Sequence, residues 1–97
     1  MAHYIVLMNF TDQGARTIKD SVKRAEAVKE TAKAAGITMK DIYWTQGGYD
    51  VVVTFEAKDE MALIAMTASI AKAGNVRTQT LRAFTQAEIG QVLAKVT

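Results

Sequence analysis

The sequence predicts an α+β domain, a four-stranded antiparallel sheet with two long helices on one face and a short helix at the C-terminus. Three observations predict it. Four segments are rich in β-branched and aromatic residues, two others repeat apolar residues at three- and four-residue steps, and glycines fall at the joints between them. The resulting order, β-α-β-β-α-β plus a helix, is the split βαβ or ferredoxin-like plan. At 97 residues the chain is one domain, residues 1–97, with 49% hydrophobic and 23% charged residues, a globular balance.

His3 to Phe10, rich in Ile, Val and aromatic side chains, is the first strand, and Thr11-Asp12-Gln13-Gly14 breaks it. Ile18, Val22, Ala25, Val28, Ala32 and Ala35 then mark an amphipathic helix, with lysines and glutamates between them. Asp20 and Ser21 are both candidate caps for its main segment, and Gly36 stands where a left-handed C-terminal cap belongs. Ile37 to Gln46 and Tyr49 to Ala57 form strands two and three. Asp59 caps a second helix, Glu60 to Ala73, which Gly74-Asn75 ends. Val76 to Phe84 is the fourth strand. Thr85 followed by Glu88 is a capping box that opens the last helix, to about Val96.

The hairpin between strands two and three carries most of the functional information. A Gly47-Gly48 loop suits a primed turn, since either glycine can take positive φ without steric cost. That loop sets Trp44 opposite Val51, Tyr43 opposite Val52 and Ile42 opposite Val53. Alternation then puts Ile42, Trp44, Val51, Val53 and Phe55 on one face, the helix-facing core. Asp41, Tyr43, Thr45, Asp50, Val52, Thr54 and Glu56 share the other. The first strand is apolar on both sides: Ile5 and Leu7 on one, Tyr4, Val6, Met8 and Phe10 on the other. The solvent side of an antiparallel sheet should run polar, so something covers the open face, and a second copy of the chain is the simplest cover. The second helix, apolar around most of its circumference, is a further candidate contact surface.

Composition excludes several functions. No cysteine means no disulfide and no thiolate metal site, and a single histidine excludes a multi-histidine site within one chain. The net charge of +2 comes from scattered lysines rather than a basic stripe, so no nucleic-acid partner is expected. No apolar run is long enough to span a bilayer, and the start MAHYIVLMNF lacks a signal-peptide pattern, so no membrane partner is expected and the cytoplasm is the expected location.

Four blocks, HYIVLMNFTDQG, IKDSVKRAEAV, IYWTQGGYDVVVTFEA and AGNVRTQTLRAFT, resemble in sequence and order the GYD domain family, whose tripeptide stands here as Gly48-Tyr49-Asp50. The resemblance spans nearly the whole chain. The family commonly has a proline before the second helix; this chain has Lys58 there and no proline anywhere. The family is similar to the dimeric α+β barrels, in which two ferredoxin-like sheets pack face to face, and this implies a homodimer or larger assembly. That superfamily includes cofactor-free oxygenases, isomerases, haem enzymes and effector-binding domains, so the resemblance selects neither a reaction nor a cofactor.

Three functions are carried forward: a module binding a small organic molecule between facing sheets, a cofactor-independent oxygenase or isomerase, and a structural or protein-interaction module. The candidate ligand-binding residues are Tyr43, Asp50, Thr54, Glu56 and Arg82, with no metal ligand among them. Asp50 serves a ligand or a proton transfer in one reading, and the turn backbone or a dimer contact in the other. Arg77 and Arg82 lie on opposite faces of the fourth strand, so only one enters the open-face space, and the pattern does not say which. Trp44 is expected to be a packing anchor, and His3 a bystander or a proton acceptor.

Overall fold

The computed structural model describes residues 1–97. Its strands are β1 (Ala2–Phe10), β2 (Ile37–Trp44), β3 (Val51–Ala57) and β4 (Val76–Ala83), and its helices α1 (Asp12–Arg16), α2 (Ser21–Ala34), α3 (Glu60–Ala73) and α4 (Gln86–Leu93). The strands form one antiparallel sheet in the order β2-β3-β1-β4, so the doubly apolar β1 is central. This is the α+β, ferredoxin-like arrangement expected, with the C-terminal helix added.

The residues of one face make the core. Tyr4, Val6 and Met8 of β1, Val51, Val53, Phe55 and Ala57 of β3, and Val76 of β4 are buried together with Ala32 of α2 and Leu63 and Met66 of α3. Both long helices therefore cover the same side, α2 over β2 and α3 over β4 and β3. The outward apolar residues of α3 are Met61 and Ile64, which are exposed.

Local signals placed most boundaries. Asp59 accepts from the Met61 backbone N–H at 3.0 Å and starts α3. The helix stops at Gly74, whose φ of +87° is the left-handed conformation that a Cβ disfavours. At α4 the capping box is complete: the Thr85 backbone N–H donates to Glu88 Oε1 (2.8 Å), and the Glu88 N–H donates to Thr85 Oγ1 (3.1 Å). The first of these bonds holds the Glu88 carboxyl below its usual range. Because the folded value is the lower one, this stabilisation is full above the ordinary carboxylate pKa and is lost as pH falls through the folded value. The helical signal of α4 should therefore fade at acid pH in the wild type, and Glu88→Gln should remove that dependence, as followed by backbone chemical shifts.

Four details differ from the sequence reading. The break after β1 is a short helix: the Thr11 side chain accepts from the Gly14 N–H and caps α1, and a 3-10 turn at Ile18–Asp20 joins it to α2. Asp20 stands at the N-cap of α2 but makes no side-chain cap bond. In the hairpin the register is as expected, Trp44 opposite Val51 and Ile42 opposite Val53. Only Gly47 takes positive φ, however, and the regular strands end at Trp44 and resume at Val51. A register shift between Met39 and Asp41 leaves Lys40 as the extra residue of a β-bulge.

Candidate functional site

The uncovered face of the sheet is built by the odd-numbered residues of β1 and their partners. Ile5 pairs with Thr54 on one side and Leu81 on the other, Leu7 with Val52 and Gln79, and His3 with Glu56 and Ala83. Tyr43 pairs with Val52 from β2. The centre of the face is thus an apolar strip of Ile5, Leu7, Val52 and Leu81, and polar side chains ring it. Tyr43 is 62% exposed, a phenol standing free on the sheet.

The ring is partly paired within itself. The His3 Nδ1 lies 3.5 Å from Glu56 Oε1. Thr54 Oγ1 accepts from the Asp41 backbone N–H (3.1 Å) at the bulge. The Tyr49 hydroxyl donates to Gln79 Oε1 (2.8 Å), so this tyrosine spans from the hairpin across β1 to β4. Its hydrogen-bond partner lies thirty residues away, and no local pattern announces it.

Of the five candidate ligand residues, Tyr43, Thr54 and Glu56 share this face. Asp50 does not stand free upon it. One of its carboxylate oxygens accepts from the Phe10 N–H at 2.9 Å, and its own N–H donates to the Met8 carbonyl at 2.9 Å. It closes the end of β1, a backbone role of the kind weighed above but directed to β1 rather than to the turn. Removing the acceptor strands the Phe10 donor, so Asp50→Ala should lower stability by about 1–3 kcal/mol in urea unfolding.

Arg82 lies on the opposite face. It pairs with Tyr4, and its guanidinium sits 5.5 Å from the Tyr4 ring centre and 4.3 Å from that of Phe84, while donating to the carbonyls of His3 and Ala83. Arg77 has the open-face register, opposite Asn9, but its guanidinium turns to the Ala71 carbonyl in the last turn of α3 (3.0 Å), where the helix dipole favours a cation. Neither arginine therefore reaches the apolar strip. The fourth strand reads polar on both sides, so alternation could not have decided between them.

Trp44 is also less buried than its register suggested. It is 43% exposed, and its indole N–H donates to Ser21 Oγ at the start of α2 (2.9 Å). At the other end of the molecule α4 has no buried residue. Ile89, Val92 and Leu93, with Val96 beyond, are exposed at helical spacing and find no cover within the chain. No helix is long and apolar enough to cross a membrane.

Comparison with known proteins identifies the architecture. The model of the GYD domain matches residues 4–93. A Thermus thermophilus protein named "Glutamine synthetase and cystathionine beta-lyase binding protein" is 32% identical over 90 residues, 92% of this chain and 95% of that protein. A solved Thermus thermophilus structure superposes with a TM-score of 0.55 at 26% identity, covering 88% of this chain and 95% of the other. MtbAldR superposes with a TM-score of 0.68 at 12% identity; 88% of this chain matches about half of that one, 52%, a likeness of fold alone.

Proposed function

The chain belongs to the GYD domain family, and from that premise we propose that it is a protein-binding module that works as a pair of copies and holds a metabolic enzyme. The observation that carries this reading is apolar surface the chain cannot cover by itself. A central strand shows Ile5 and Leu7 to the open side beside Val52 and Leu81, and a C-terminal helix shows Ile89, Val92 and Leu93. Contiguous apolar patches of this kind mark interaction sites. The open face suits a two-fold partner, since the strip can lie against itself with its polar ring meeting the partner's ring. The α4 stripe suits a groove on a different protein. The name of the Thermus relative supports an enzyme as that second partner. The proposed setting is the cytoplasm, in keeping with a chain without cysteine.

Sedimentation at micromolar concentration tests the pairing. The wild type should run as a dimer or larger. Leu7→Lys, which sets an unpaired charge in the middle of the contact, should weaken association about a hundredfold or more and give a monomer. A wild type that sediments as a folded monomer overturns the pairing. Titration of purified glutamine synthetase and cystathionine beta-lyase against wild type and Leu93→Glu tests the second contact; binding of neither enzyme removes it.

A second reading has its own support. Tyr43, Thr54, Glu56 and His3 set hydroxyls, a carboxylate and an imidazole around apolar ground, which suits a small organic molecule held between two facing sheets. In that reading Asp50 and Arg82 shape the framework, through Phe10 and Tyr4, rather than touch the ligand. Tyr43→Ala should then abolish any metabolite-induced rise in melting temperature, with the dimer intact.

A further inference from the structure

On the helix side of the sheet, away from the open face, α2 and α3 do not close upon each other. They leave a cleft of about 240 Å³, in which thirteen of the sixteen lining residues are hydrophobic. Met8, Met39 and Ile42 lie on its sheet side, Ala25 and Val28 on the α2 side and Ile70 on the α3 side. Packed interiors leave few voids larger than a water molecule, whereas an apolar cavity of about 150 Å³ is enough to take up benzene. The gap has a sequence cause. The face that α2 turns to the cleft is short-chained at Ala25 and Val28, where a leucine would reach across.

The mouth of the cleft is polar and carries one charged side chain. Ser21, Arg24 and Asn75 are the non-apolar members of the lining, with Trp44 beside them. The Arg24 guanidinium is held in place by the Thr17 carbonyl (2.9 Å), the Thr17 hydroxyl (3.0 Å) and the Gly14 carbonyl (3.4 Å), none of them a carboxylate. No carboxylate is paired with it: Asp20, one turn earlier at the N-cap of α2, makes no ion pair with Arg24, and Glu26 lines the next groove, beside Lys29 and Lys40. A cation held by neutral acceptors, with no ion-pair partner, therefore stands at the rim of an apolar slot bordered by an indole.

We propose that this cleft is a binding site for a small aryl- or alkyl-carboxylate, its body between α2 and α3 and its carboxylate on Arg24. The volume accommodates a body somewhat larger than benzene, and a guanidinium recognises a carboxylate through paired N–H donors. The site lies on the opposite side of the sheet from the proposed dimer contact, so it stays open in the pair and does not depend on it.

The chain has a single tryptophan, so the emission of Trp44 reports the mouth directly. Titration with 3-phenylpropionate should give a saturable change. The uncharged 3-phenylpropan-1-ol should bind about tenfold more weakly or worse, since it lacks the charge-assisted bonds. Arg24→Gln should level the two ligands, and Ala25→Leu should abolish both by filling the slot. In methyl spectra of the wild type, the methionine signals of Met8 and Met39 should shift, and those of Met1 and Met61 should stay. No saturable response at millimolar ligand, equal binding of acid and alcohol, or shifts confined to Met1 or Met61 would each overturn the proposal. Should Ala25→Leu fail to fold, the wild-type spectra and the acid-to-alcohol ratio decide alone. Sedimentation of the same samples shows whether the dimer persists, so loss of pairing and loss of this site are told apart.

Discussion

Gly14→Ala should lower the stability of the chain by about 3 kcal/mol or more, although on helix propensity alone the change should help. In α1 alanine gains at most about 1 kcal/mol over glycine. Against that stands a collision. A Cβ on Gly14 would lie 1.9 Å from the Asn75 carbonyl oxygen and 2.8 Å from its carbon, both backbone atoms that no rotamer change can move aside. The Asn75 segment is also pinned. Its carbonyl accepts from the Thr11 N–H (3.1 Å), the Thr11 hydroxyl donates to the Gly74 carbonyl (2.5 Å), and the Gln13 amide donates to the Ala73 carbonyl and to Asn75 Oδ1 (3.0 Å each). Relieving the clash means parting α1 from the α3–β4 turn and breaking these bonds together, so the steric term wins. Urea unfolding of Gly14→Ala checks it; a midpoint within error of wild type would mean that α1 can lift away at little cost.

That close approach marks the boundary of what could be read from sequence. Where a boundary is set by residues a few positions apart, the reading succeeded: Asp59 before Glu60, Thr85 with Glu88, and the hairpin register about Gly47-Gly48 all depend on local chemistry. The alternation in β1 also showed that both faces of a central strand are apolar. Failures came where the partner is distant. Asp50 is committed to Phe10, forty residues earlier. Gly14 is small because of Asn75, on the far side of α3, so α1 read as a mere break. Arg82 went unplaced because VRTQTLRA alternates polar with polar, leaving its stack on Tyr4 and Phe84 invisible. The cleft arises from how two helices splay over a sheet, which periodicity within either helix does not encode.

Phe55→Ala should cost about 3–5 kcal/mol, the range for emptying a buried phenylalanine site. Phe55 is 1% exposed at the middle of β3, between Tyr4 of β1 and Met39 of β2. A domain of this size holds roughly 5–15 kcal/mol in total, so the loss takes a large part of the margin. Its form separates the two sides of the sheet. Phe55 faces the helices, so its removal should lower the unfolding midpoint by a similar amount at low and high protein concentration. A chain that pairs through the open face has a midpoint that rises with concentration, because association stabilises only the folded form. Leu7→Lys should flatten that rise while leaving the dilute-limit stability nearly unchanged, since Leu7 contributes little to the core. If both variants shift the midpoint in parallel at every concentration, the open face is not an interface, and the apolar strip of β1 must be explained within a single chain.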